Sequence, residues 1–85
     1  MVEQVKHSVA VCYALPDARF LVRLDVNAGT TIAEAIAASG VLARFPEIDL
    51  ARNKLGVFGK LKPADTVLRD GDRIEIYRPL QADPM

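Results

Sequence analysis

Between residues 7 and 14 the chain alternates: Val9, Val11 and Tyr13 fall on one side of an extended backbone, with Ala10, Cys12 and Ala14 on the other. Alternation resumes in RFLVRLDV, where Phe20, Val22, Leu24 and Val26 share one face while Arg19, Arg23 and Asp25 point away. Successive side chains of a strand point to opposite faces, so a period of two with one apolar set marks a half-buried strand. Between the two runs stands Leu15-Pro16-Asp17-Ala18, in which proline presets φ for a chain reversal. The pattern predicts an antiparallel hairpin with one buried face.

After Asn27-Ala28-Gly29-Thr30 the period changes. In TIAEAIAASG, Thr31 and Glu34 have capping-box spacing: the hydroxyl accepts from the backbone N–H of Glu34, whose carboxylate reaches back to the N–H of Thr31. Ile32, Ala35, Ile36 and Ser39 then line one helical face, and Gly40 suits the left-handed residue that closes a helix. A helix this short is marginal alone in water, so packing on a sheet must hold it. ARFPEIDLARN reads as loop with room for one helical turn, its Ile48 and Leu50 lying over the core. KLGVFG reads as a third strand, with Leu55 and Val57 inward and Gly56 and Phe58 outward. Residues 60–69 are irregular and end at Asp70-Gly71, a strong turn signal. DRIEIYRPL is the last strand, with Ile74 and Ile76 inward and Arg73, Glu75 and Tyr77 outward.

The order is strand, strand, helix, strand, irregular crossing, strand. One helix covering one face of a mixed sheet is an α+β arrangement, and a grasp-like ββαββ sheet closes it, the last strand beside the first and the third on its far side. The expected inner core is Val9, Val11, Tyr13, Val22, Leu24, Val26, Ile32, Ile36, Leu50, Leu55, Val57, Ile74 and Ile76. The polar outer positions imply a second sheet face that meets solvent or a partner.

Eighty-five residues supply one core, so the expected organisation is a single domain over residues 1–85, ordered from about residue 6 to 80, with a short tail at 81–85. Lys plus Arg number 11 and Asp plus Glu number 11. A nucleic-acid binder needs a basic surplus, and this balance provides none; nor does it suggest attraction to an anionic membrane. The single cysteine, Cys12, excludes an internal disulfide and a multi-cysteine zinc site. No run of apolar residues approaches a membrane span, and no signal-peptide pattern opens the chain; the expected setting is the cytoplasm.

VCYALPD, FPEIDLARNKLGVFGK and DGDRIEIYRPLQADP, in that order, resemble the RnfH family of small bacterial proteins, over most of the chain from about residue 9 to 84. The resemblance implies a ubiquitin-like β-grasp fold. It also implies a small non-enzymatic partner protein, associated either with a membrane electron-transport cluster or with the antitoxin half of a toxin–antitoxin pair. Fold alone does not choose between such roles.

The residues themselves offer little catalytic chemistry. A sulfur carrier or ubiquitin-like modifier, the alternative reading, needs a flexible terminal Gly-Gly; here the corresponding stretch reads RPLQADPM. A nucleophilic Cys12 would need a base, and the sole histidine, His7, falls on the opposite strand face. Asp70 and Asp72 flank Gly71 as turn residues rather than as a converging set of metal ligands. We therefore expect no enzyme, no metal and no cofactor. What remains is an interaction surface for another protein. On the outer face Leu21, Phe58 and Tyr77 would surround Cys12 inside a rim that includes Arg73 and Glu75, an apolar centre with aromatic anchors and a charged border. Arg78, with Leu80 and Asp83 beyond it, is a second candidate contact. Lys54, Lys60 and Lys62 form a basic cluster that reads as a guarded sheet edge.

Overall fold

The computed structural model describes residues 5–14 and 19–77; the turn expected at residues 15–18, Arg78 and the tail expected at 81–85 lie outside the described residues. Strands β1 (Lys6–Ala14) and β2 (Arg19–Asn27) pair antiparallel in an unbroken register from Lys6 opposite Asn27 to Ala14 opposite Arg19. Then come α1 (Ile32–Ser39), α2 (Val41–Arg44), β3 (Lys54–Val57), β4 (Lys60–Leu61) and β5 (Arg73–Tyr77). The sheet order is β2-β1-β5-β3-β4. Strand β5 runs parallel to β1 and antiparallel to β3, so the last strand occupies the middle of the sheet. This is the α+β, ubiquitin-like β-grasp arrangement.

Helix α1 starts and stops where its caps say it should. The Thr31 hydroxyl accepts from Glu34 N (3.3 Å) and Glu34 Oε1 accepts from Thr31 N (3.0 Å), satisfying two of the donors that a helix N-terminus leaves unpaired. Two more are met by the irregular crossing: Ile32 N donates to Thr66 O and Ala33 N to Ala64 O, each at 3.0 Å. At the other end Gly40 sits at φ 84°. The Ser39 hydroxyl, bonded to Ile36 O and accepting from Val41 N, carries the chain directly into α2.

The core contains Val9, Val11, Tyr13, Val26, Ile32, Ala35, Ile36, Leu55, Ile74 and Ile76, joined by Val41, Ile48 and Leu68. Val22, Leu24, Leu50 and Val57, expected inside, are only partly buried against it. For Val22 and Leu24 the reason is position: β2 is the sheet's edge, so their outer flank has no neighbouring strand. Tyr13, Phe45 and Phe20 stack edge to face at centroid separations of 5.1 and 5.5 Å, and the guanidinium of Arg44 lies 5.7 Å above the Phe20 ring.

Both ends of β5 are anchored. At its start Ser8 N donates to Asp70 Oδ1 and Gly71 N to Ser8 O, each at 2.7 Å, while Arg69 N donates to Asp72 Oδ2 (2.8 Å). The two aspartates of the DGD motif thus hold backbone amides, and Gly71 supplies φ 88° for the turn between them. At its end the buried Asn53 donates from Nδ2 to Tyr77 O (3.0 Å) and accepts from Asp49 N (2.9 Å), tying the 48–53 loop to the strand.

One expected strand position is corrected. Phe58 is not an outward strand residue: β3 ends at Val57, and Phe58-Gly59 form a two-residue turn that pairs Val57 with Lys60. Both turn residues have positive φ, 50° and 82°, which is the type I′ arrangement that favours Asn-Gly. Holding a phenylalanine in the left-handed region costs on the order of 1–2 kcal/mol. Beyond the turn, β4 is a two-residue strand inside what the sequence suggests is irregular crossing.

Candidate protein-binding surface

The register places one row of residues straight across all five strands on the face away from α1. Leu21 on β2 is opposite Cys12 on β1, Cys12 is beside Glu75 on β5, Glu75 is opposite Gly56 on β3, and Gly56 is opposite Leu61 on β4. Leu21 and Leu61, at the two ends, are 50% and 62% exposed. Arg23, Ala10 and Arg73 form the adjacent row. Among the described residues no helix packs on this face.

Glu75 organises the middle of the row. Its Oε1 accepts from the Tyr77 hydroxyl (2.6 Å) and from Gly59 N (2.8 Å), and its Oε2 is 3.5 Å from Arg73 Nε. One carboxylate therefore fixes an aromatic ring and the tip of the β3–β4 hairpin, with a neighbouring guanidinium at ion-pair distance. The ring of Tyr77 lies against Gly56, where an added Cβ would meet the Tyr77 hydroxyl and Lys60 O at 2.7 Å; β3 needs glycine at that position so that the ring can lie down. Hydrogen bonding to Glu75, then burial, then the charge of Glu75 push the Tyr77 phenol up to about 12, so it remains a neutral donor across the physiological range.

Of the residues expected to form the surface, Arg73, Glu75 and Tyr77 come together in one network, and Leu21 shares their face two strands away. Phe58 stands at the hairpin tip, bonded through its backbone N–H to Arg73 O (3.2 Å); there it borders Ala10, Arg23 and Arg73 at the rim of this face rather than lying beside Tyr77 at the centre. Arg78 lies outside the described residues. Cys12 is buried within the row as a small sheet residue, and His7 on the same strand is five positions away, roughly 16 Å at strand rise. Leu61 is the outer-face residue that sequence reasoning missed. Its signal is the Gly56–Leu61 pairing, which exists only once the hairpin turn is known.

A family model described as RnfH family Ubiquitin matches residues 7–85. The chain is 60% identical over 77 residues to Protein RnfH of Paraburkholderia phymatum, covering 91% of this chain and 70% of that protein. Among solved structures it is similar to a Haemophilus influenzae protein crystallised as a 3D domain-swapped dimer, with 46% identity, a TM-score of 0.60, and 93% and 99% of the two chains covered. A Pyrococcus furiosus protein that bears the name molybdopterin converting factor, subunit 1, superposes with a TM-score of 0.65 over 87% of this chain and 99% of its own. At 19% identity that likeness concerns the fold alone.

Proposed function

The chain belongs to the RnfH family, and from that premise we propose that it is a non-enzymatic protein-interaction module whose outer sheet face docks on another protein. In this reading it works in the cytoplasm, as the antitoxin-like partner of a bacterial toxin or as an accessory of an electron-transport cluster. The observation that carries the proposal is the row from Leu21 to Leu61. Two exposed leucines flank a polar centre that Glu75 already holds in place, so docking there costs little side-chain ordering. Arginines 19, 23 and 73 supply the charged rim.

The test is affinity capture of the tagged protein from a bacterium that encodes it, with Leu21→Asp/Leu61→Asp captured in parallel. Both positions are exposed, so the variant should keep its fold, which amide NMR checks. A stoichiometric partner lost from the variant is the expected result. A partner retained at full yield would remove the outer face from consideration, and the absence of any stoichiometric partner would remove the module reading.

A sulfur-carrier or ubiquitin-like modifier role is the second reading, although the likeness to the Pyrococcus protein reaches only the fold. It requires a Gly-Gly carboxylate for activation, and these 85 residues contain no adjacent pair of glycines. Incubation with ATP and an adenylating enzyme of that class, followed by mass spectrometry, should leave the protein unmodified.

A further inference from the structure

We propose that the cleft beneath the β3–β4 hairpin binds an acidic peptide segment through one apolar side chain inserted between its carboxylates. The inference rests on the protein being a binding module, but it places a contact on the other side of the sheet from Leu61. Lys60 pairs with Val57, whereas Leu61 pairs with Gly56, so Lys60 and Val57 belong to the face that carries α1. There the hairpin and the crossing enclose a groove of ≈ 330 Å³, within the size range of small recognition pockets. Its apolar lining is Val57, Phe58 and Val67, and its cations are Lys60, Lys62 and Arg69.

Three features converge on that occupant. Phe58 is 61% exposed and Val67 56% exposed, so two of the five large apolar residues exposed among the described residues line the same groove. The charge is locally unbalanced in a chain that is neutral overall: three cations face one anion, Asp72, whose Oδ2 is engaged by Arg69 N. The left-handed Phe58 occupies a turn position better suited to asparagine or glycine, and the strain is not offset by burial of its ring. Edge lysines that discourage strand-to-strand aggregation would account for Lys60 and Lys62, but not for an exposed aromatic in a strained turn, nor for Arg69 on the crossing. Nucleic acid fits less well, because the groove offers one ring rather than a stacking platform.

The probes are labelled peptides in which a single leucine, phenylalanine or tryptophan sits among glutamates. Controls are the same peptides with lysine for glutamate, and a single-stranded oligonucleotide. Fluorescence anisotropy should show that at least one acidic peptide binds, and amide NMR should place the shifts at residues 57–62 and 66–72. Phe58→Asn and, separately, K60E/K62E should each weaken binding at least about tenfold, and ionic strength near ~0.5 M should weaken it as well. Phe58→Asn should also melt at the same temperature as the parent or higher, since asparagine suits the turn; a loss of binding then cannot be a loss of fold. The inference is overturned if no acidic peptide binds, if the lysine peptides or the oligonucleotide bind as tightly, or if the shifts fall on Leu21, Cys12 and Tyr77 instead. That last outcome would leave the outer-face proposal standing, whereas cleft binding alongside unchanged capture by the Leu21/Leu61 variant would remove only the outer face.

Discussion

Glu75 holds more of the outer face in place than any aromatic does. Its Oε1 accepts from both Tyr77 and Gly59 N, and from this follows a testable titration. The Tyr77 phenol is raised from 10.0 to about 12, first by its bond to Glu75. A folded-state pKa above the unfolded value means that the native protein holds this proton more tightly. The associated stability is complete below about pH 10 and is lost as pH rises through about 12. NMR titration of the assigned Tyr77 ring should give a midpoint near that upper value, and Glu75→Gln should bring it back toward 10; a parent midpoint at 10 would remove the network. Alternation in RIEIY is enough to put Arg73, Glu75 and Tyr77 on one face. That Tyr77 lies on Gly56 is not legible in the same way, because the 56–77 neighbourhood depends on a register set by the whole sheet. The turn at Phe58 is hidden for a related reason: phenylalanine is a strand-former, and nothing local marks it as a turn residue.

Elements built from local codes are the ones the sequence reveals. The β1–β2 hairpin follows from period-two alternation, and α1 from the Thr31–Glu34 box and Gly40. Thr31→Ala should remove one half of that box and cost about 1 kcal/mol, lowering the melting temperature by roughly 4–8 °C in a domain of this size. Thermal unfolding followed by circular dichroism checks this; an unchanged midpoint would mean that the crossing carbonyls of Ala64 and Thr66 alone hold the helix start. Elements without a local code stay hidden. Helix α2 has four residues, too few for any periodicity to show. The two residues of β4 are a strand only because the Phe58-Gly59 turn folds them onto β3. Leu68 is buried although its neighbours Val67 and Arg69 are exposed; Leu68 N bonds to Thr30 O, a contact between segments that no pattern along the chain connects.

Across the whole molecule, stability should be graded by distance from β5. That strand has neighbours on both sides and its Ile74 and Ile76 are fully enclosed, whereas β4 is a two-residue edge with Leu61 in solvent. Native-state hydrogen exchange should show the amides of Val11, Ile74 and Ile76 opening only with global unfolding, and that of Lys62, bonded to Leu55 O, opening locally. Equal protection across the sheet would contradict this ordering. The central place of β5 also sets a timetable for the newborn protein. Strand β1 is synthesised early, yet its parallel neighbour begins only at Arg73, about 60 residues later, which at ~5–20 residues per second is a wait of roughly 3–12 s. Throughout that interval the hairpin leaves one long side of β1 unpaired and Val9, Val11 and Tyr13 without Ile74 and Ile76. Translation speed, rather than the search for the fold, therefore decides how long each new copy is vulnerable to the wrong neighbour.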